Sequence, residues 1–369
     1  MKKTAFLLST FSFSLLAAHA LEISDAPERR VNVLSKEAVI ADGGLWPNLT
    51  LLPGGEIVLA AFNQPEHGRV AGDVDAWRSQ DGGAIWQHVS TIAKRQDDSS
   101  NRMNHAVGFL KNENRLVAVV SGYADNGSKK WSFIRPLVTT SADNGTTWTE
   151  LGEFDCGLVP NELVVPYGQM VEAHDGSLRF VVYAVPGEPN SPRQEKTAYM
   201  VKSTDGGKTW SQVGCLGPDS SETAVIEAAP KEWLAISRTK ATSAGSEKKG
   251  MTMRQLRSVD DGKTWTDEGE ITPDLNHPAS LLRTQDEKLL LTYSDRQRNK
   301  ILGRLSEDNG KTWGEPLVIY ASWVGDGGYP STVQLPNGEF VTAFYAKRSP
   351  LLDINKVQYH TGLVRWSLR

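Results

Sequence analysis

The pattern Ser-x-Asp-x-Gly-x-x-Trp occurs five times in this chain, at Ser79–Trp86, Ser141–Trp148, Ser203–Trp210, Ser258–Trp265 and Ser306–Trp313. Successive copies start 62, 62, 55 and 48 residues apart. Self-similarity at a near-constant period means one supersecondary unit repeated along the chain. The octet has the chemistry of a hairpin turn. Its Asp can accept from backbone amides two residues on, its Gly supplies positive φ, and its Trp can pack under the corner. Turn chemistry accounts for every position, so the five Asp residues are read as structural.

A second repeat lies between the octets. Turn-forming stretches at Leu52–Gly55, Lys111–Asn114, Ala173–Gly176, Ala229–Glu232, Thr284–Glu287 and Leu335–Gly338 each precede an apolar run. Those runs are Ile57–Phe62, Leu116–Val120, Leu178–Tyr183, Trp233–Ile236, Leu289–Tyr293 and Phe340–Tyr345. They read as hairpins, and the octet closes a second hairpin in each unit. Four strands per unit is the blade of a propeller. The sixth unit has no octet after its third strand, about Val357 to Leu368. Its fourth strand is expected from Val31 to Ile40, which leaves no free sheet edge. The expected fold is all-β, a single six-bladed β-propeller over residues 21–369. The polar stretches Arg95–Arg102 and Ala241–Gly250 read as surface loops.

Residues 1–20 are expected to be a signal peptide. Lys2 and Lys3 precede a short apolar run from Ala5 to Ala18, and Ala18-His19-Ala20 fits a cleavage site. The mature chain would then start at Leu21 and be secreted or periplasmic, with no membrane span. The net charge of −4 gives no basic excess for nucleic acid. Cys156 and Cys215 are the two cysteines; in an oxidising compartment they form one disulfide or stay as free thiols. No cofactor is called for. The histidines have no ligand spacing, so no metal site is expected.

In a propeller the innermost strands line a central channel, and ligand sites lie at one end of it. Starts of inner strands give Trp46, Asn104, His105, Tyr167, Glu222, His277 and Tyr329. Ends of second strands give Asn63, Tyr123, Arg238, Arg296 and Lys347. The first unit's loop adds Glu66, His67, Arg69, Asp73 and Asp75. Converging Arg, His, Glu and Tyr suggest an anionic, carbohydrate-like ligand, since Arg pairs bidentately with carboxylate.

The octet resembles the Asp-box of the sialidase (neuraminidase) superfamily, and the likeness extends to particular residues. Sialidases carry a Glu 16 residues before an Arg, matching Glu222 and Arg238. They carry another Arg eight residues before a late Asp-box Ser, matching Arg298 and Ser306. Their Tyr nucleophile opens the next blade, matching Tyr329. The resemblance implies that Tyr329 attacks an anomeric carbon while Glu222 takes its proton. It implies a carboxylate clamp of Arg238 and Arg298. Arg296 is nearly as good a candidate as Arg298, and His105 and His277 are expected to be structural or to contact substrate rather than to catalyse. Asp73 is the implied acid, with Glu66, His67 and Asp75 as rivals. The pattern also departs from the family. Its N-terminal Arg-Ile-Pro reads Leu45-Trp46-Pro47 here, its next Arg is replaced by Asn63-Gln64-Pro65, and its terminal Tyr-Glu reads Tyr345-Ala346.

The expected function is a glycoside hydrolase that removes a terminal, acidic sugar from a glycan or oligosaccharide, acting as a monomer. One alternative is a glycosidase or lyase on a rhamnose- or uronic acid-containing glycan, with His67 or His105 as acid or base. The other is a non-catalytic glycan- or protein-binding propeller.

Overall fold

The computed structural model describes residues 29–66, 68, 70–125, 127, 131–158, 163–186, 195–241 and 250–369. The expected signal peptide, His67, Arg69 and most of the stretch Ala241–Gly250 lie outside the described residues. Each apolar run after a turn is a strand: Ile57–Phe62, Arg115–Asp125, Leu178–Val185, Glu232–Lys240, Leu289–Asp295 and Phe340–Ala346. Helix among the described residues is limited to one 3-10 turn at Lys111–Glu113, where a plain hairpin turn was expected. Its closing Asn114 adopts φ 48°, a left-handed conformation that Asn tolerates.

The strands pair antiparallel within four-strand units. The first unit runs in order Leu45–Leu51, Ile57–Phe62, Val74–Ser79 and Gln87–Ala93. Two further sheets repeat that order, and an eight-stranded sheet holds two such units joined by a short parallel contact of Gly168 and Gln169 with Ala106 and Val107. The last sheet takes its fourth strand from the other end of the chain. Asn32–Ile40 pairs antiparallel with His360–Ser367. Arg29 and Arg30 add a short parallel edge to Leu317–Ala321.

The innermost strands are Leu45–Leu51, Ser100–Leu110, Leu163–Glu172, Thr223–Ala229, Asn276–Arg283 and Gly327–Gln334. Each neighbours the next, and the last returns to the first. Apolar burial is divided among the wedges between adjacent units. Leu49, Ile57 and Leu59 of the first unit pack with Val333, Val341 and Leu363 of the last. Fully burying each such side chain is worth about 1.5–3 kcal/mol.

The octets explain how the wedges are held. In the first, Gly83 N donates to Ser79 Oγ at 2.8 Å, Ile85 N donates to Asp81 Oδ1 at 2.9 Å, and Trp86 Nε1 donates to Gly83 O at 3.1 Å. The Gly has positive φ in every copy, and its missing Cβ faces the preceding unit. A Cβ on Gly310 would sit 2.5 Å from Leu234, and one on Gly145 would sit 3.5 Å from Val58. Gly83 of the first octet faces Val341 of the last unit. The fifth octet differs: Trp313 Nε1 donates to Gln255 Oε1 at 2.8 Å, while Gln255 Nε2 donates to Gly310 O at 2.7 Å.

Charged latches add to the apolar wedges. Arg179, fully buried, donates to Asp261 Oδ1 at 2.7 Å across the junction with the next unit, to Asp175 Oδ2 at 2.9 Å and to Ser177 Oγ at 3.0 Å. Its guanidinium lies 5.1 Å from the Trp233 ring. Two sequence expectations are resolved here. Arg95–Arg102 is not wholly a surface loop: Ser100, Asn101 and Arg102 begin an inner strand and are buried. Arg102 enters because its guanidinium finds the Arg135 carbonyl at 2.7 Å. Cys156 and Cys215 are free thiols, the first buried and the second exposed.

Candidate active site at the channel mouth

Alternation in a strand would send half of the inner-strand side chains away from the channel. Proline changes this at three strand starts. Pro47, Pro278 and Pro330 cannot donate to the ladder, and the pairing register shifts at each. The residue before the proline is thereby re-aimed. Trp46 and Tyr329 both take left-handed backbone, φ 54° and 56°. Bulky side chains rarely tolerate that region, and such strain concentrates at functional sites. Tyr329 is held there by its own amide, which donates to Ser294 Oγ at 3.0 Å.

Tyr329 meets two residues of the fourth unit. Its phenol donates to Glu222 Oε1 at 2.7 Å. Arg238 Nη1 donates to Glu222 Oε2 and also reaches the Tyr329 phenol at 3.3 Å. Burial and the adjacent Glu222 charge push the Tyr329 phenol well above its ordinary range, although Arg238 and Arg296 pull it back. The phenol is therefore protonated at rest, with its proton directed at a carboxylate. Burial lowers the Arg238 value, but the charge of Glu222 more than restores it, so this guanidinium is always charged.

Arg296 lies on the other side of Tyr329, its guanidinium 5.8 Å from the ring. It donates to Asp326 Oδ1 at 2.5 Å, and Tyr345 donates to Asp326 Oδ2 at 3.0 Å. The Tyr345 ring packs 5.6 Å from Tyr329 and 6.1 Å from Trp46. Below the mouth is a narrow cavity of about 60 Å³ bounded by Trp46, Tyr167, Glu222 and Tyr329. It has room for a few water molecules, at about 10–15 Å³ each.

Glu222, Arg238, Arg296 and Tyr329 thus come together. Arg298 does not join them: half-exposed, it reaches back to Asp295 at 3.3 Å. Asp73 is engaged by Arg95, whose backbone N donates at 2.6 Å and Nη1 at 2.7 Å. Asp75 is shared by His88 Nε2 at 3.0 Å and Asn63 Nδ2 at 3.0 Å. Glu66 is exposed, and its charge acts on the Tyr359 phenol beside the mouth. His105 lies within the channel wall, its ring nitrogens 3.0 Å from Met103 O and 3.3 Å from Ala60 O. His277 is buried with Nδ1 unpartnered. Burial, together with Arg238 and Arg296, drives its pKa down to about 2, so it is neutral. Sequence reasoning missed Asp326. Its signal is weak: one acidic residue in a glycine-rich connection three positions before Tyr329.

Several solved structures share the fold. A Dyadobacter fermentans protein of unknown function superposes with a TM-score of 0.74 at 22% identity, over 92% of this chain and 99% of that one. A Hadza microbial sialidase gives 0.67 at 16% identity, over 88% and 66%. Trypanosoma rangeli sialidase in complex with the inhibitor DANA gives 0.65 at 17%, over 88% and 55%. The chain therefore spans about half the length of the trypanosomal enzyme. No curated protein matches the sequence. These likenesses define an all-β chain with the propeller fold of the sialidases. The profile of the BNR repeat-like domain matches residues 55–342, and the chain belongs to that family.

Proposed function

We propose that this protein is a secreted or periplasmic glycoside hydrolase that removes a terminal sugar from glycans. It would do so as a monomeric six-bladed propeller closed by residues Asn32–Ile40. The observation that carries the reading is the Tyr329–Glu222–Arg238 cluster, with its phenol-to-carboxylate bond of 2.7 Å on left-handed backbone. A phenol becomes a competent nucleophile only when a base takes its proton. Glu222 accepts that proton as Tyr329 Oη bonds to the anomeric carbon. The glycosidic C–O bond breaks, and the leaving oxygen takes a proton from an acid. Water then attacks the anomeric carbon and gives a proton to the conjugate base of that acid, the bond to Tyr329 breaks, and the phenolate recovers its proton from Glu222. Arg238 holds Glu222 in place through their ion pair. Among the loop carboxylates, Glu66 is exposed and its charge acts on the Tyr359 phenol, whereas Asp73 and Asp75 are tied to partners.

The sequence pointed to an acidic sugar because it offered arginines for a carboxylate clamp. The two that reach the site are already paired with carboxylates. The alternative on a rhamnose- or uronic acid-containing glycan invokes His67, which lies outside the described residues, or His105, which is buried with its ring nitrogens against two backbone carbonyls. The test is turnover by residues 21–369 on fluorogenic sialosides, rhamnosides, fucosides and glucuronides, with Tyr329→Phe as control. Release that the variant lacks supports the reading. Glycan binding without any turnover would favour the non-catalytic propeller.

A further inference from the structure

We propose that the site takes a neutral sugar, because the carboxylate of Asp326 already occupies the arginine on which an acidic sugar would be held. The inference rests on the glycan reading above and deepens it.

Asp326 lies in the connection between Leu317–Ala321 and Gly327–Gln334. The connection is fixed, since Lys347 N donates to Asp326 O at 2.8 Å. Its side chain then has a defined position, with Oδ1 on Arg296 at 2.5 Å and Oδ2 on the Tyr345 hydroxyl at 3.0 Å. The chain has thus placed its own anion on the guanidinium that lies over the Tyr329 ring. Arg238 Nη1 likewise pairs with Glu222, and Arg298 Nη1 with Asp295. Where a third arginine was expected, the chain has Leu45-Trp46-Pro47.

Lys347 Nζ lies 5.8 Å from the Tyr359 ring, and the charge of the exposed Glu66 acts on the same phenol. Among the described residues, Arg238 and Arg296 each carry a carboxylate partner, Glu222 and Asp326, and His277 is neutral. A substrate carboxylate would meet Asp326 as a like charge or displace it. Displacement would strand a mostly buried anion without its cation. A hydroxyl has no such conflict. It can donate to Asp326 or to the Tyr345 hydroxyl oxygen, while the C–H face of the sugar lies on the rings of Trp46 and Tyr345.

The test uses matched fluorogenic pairs that differ only in the charged group, a glucoside with a glucuronide and a galactoside with a galacturonide. A rhamnoside and a sialoside are included, and the same termini are presented on a glycan array. Wild type, Asp326→Ala and the conservative Asp326→Asn are compared, with melting curves confirming that each is folded. The expected result is a kcat/KM at least tenfold higher for the neutral member of a pair, with that ratio narrowed at least tenfold in either variant. Equal or greater turnover of the acidic member by wild type would overturn the inference. So would a ratio unmoved in both variants. If no substrate is turned over, the hydrolase reading fails and the array decides the occupant. Retention of neutral termini alone keeps the inference, while retention of acidic termini, or of none, overturns it.

Discussion

Tyr329 needs three things that its own side chain does not supply: a base, a counter-charge and an orientation. In the proposed mechanism Glu222, Arg238 and the bulge at Pro330 provide them. Removing only the phenol oxygen in Tyr329→Phe should lower kcat at least about a hundredfold, the lower range for losing a group that moves a proton. Glu222→Gln should do the same. Single-turnover rates measure the loss, and the melting temperature of Tyr329→Phe should move little, since one hydrogen bond is worth about 1 kcal/mol. A large drop in melting temperature with Glu222→Gln would mean that the pair with Arg238 is structural. These three residues were legible in the sequence because each sits at a strand end, where spacing fixes position. Arg298 was not. It stands two residues from Arg296 in a turn, and the turn sends the two guanidiniums to different carboxylates. Asp326 was illegible for a related reason, as a loop carboxylate carries no period.

At the scale of the element, strands and turns were readable almost to the residue, because apolar runs bounded by turn residues have few other ways to fold. The six second strands all begin within a residue of their expected starts. Less readable was what joins one unit to the next. The Arg179 latch spans 82 positions, and nothing local marks that arginine as buried. Arg179→Met should destabilise the protein by about 3 kcal/mol, the low end for breaking a buried pair, because Asp175 and Asp261 keep some contact with water. Denaturant melts with an unchanged slope would measure it. The fifth octet makes the same point. Its sequence matches the others, yet its Trp313 bonds to Gln255, a residue supplied by the neighbouring unit. Gly310→Ala should cost more than Gly145→Ala, because Leu234 stands a full ångström closer to the added methyl than Val58 does.

For the whole molecule, buried histidines begin the acid limb of stability, and the hydrogen-bonded octet carboxylates such as Asp260 and Asp308 extend it at lower pH. His277 has its pKa lowered to about 2, and His105 and His360 are lowered too, chiefly by burial. A depressed pKa means that the unfolded chain binds the proton more readily. Stability is therefore full above the ordinary histidine value of 6.5 and falls as pH drops below it. The contribution of His277 should decline by about 1.4 kcal/mol per pH unit, and it should do so across the window from 6.5 towards 2. His277→Gln should flatten the pH dependence of the denaturation midpoint by that slope. Deleting residues 21–40 should strip the outer partner from His360–Ser367 and expose a long sheet edge. Concentration-dependent aggregation in light scattering is the expected outcome; a monomer with an unchanged melt would show that this strand is dispensable.

That last pairing also carries a consequence in time. Asn32 and Ser367 are 335 positions apart, yet their side chains bond at 3.3 Å. A chain emerging from a ribosome or a translocation pore presents Asn32–Ile40 early and its partner His360–Ser367 late. Until that partner arrives, the earlier strand has no place to dock, and the earlier units stand as an open array. Folding of these units should thus end in one late event gated by the arrival of His360–Ser367, and chains lacking that strand should be the forms that proteases and chaperones recognise.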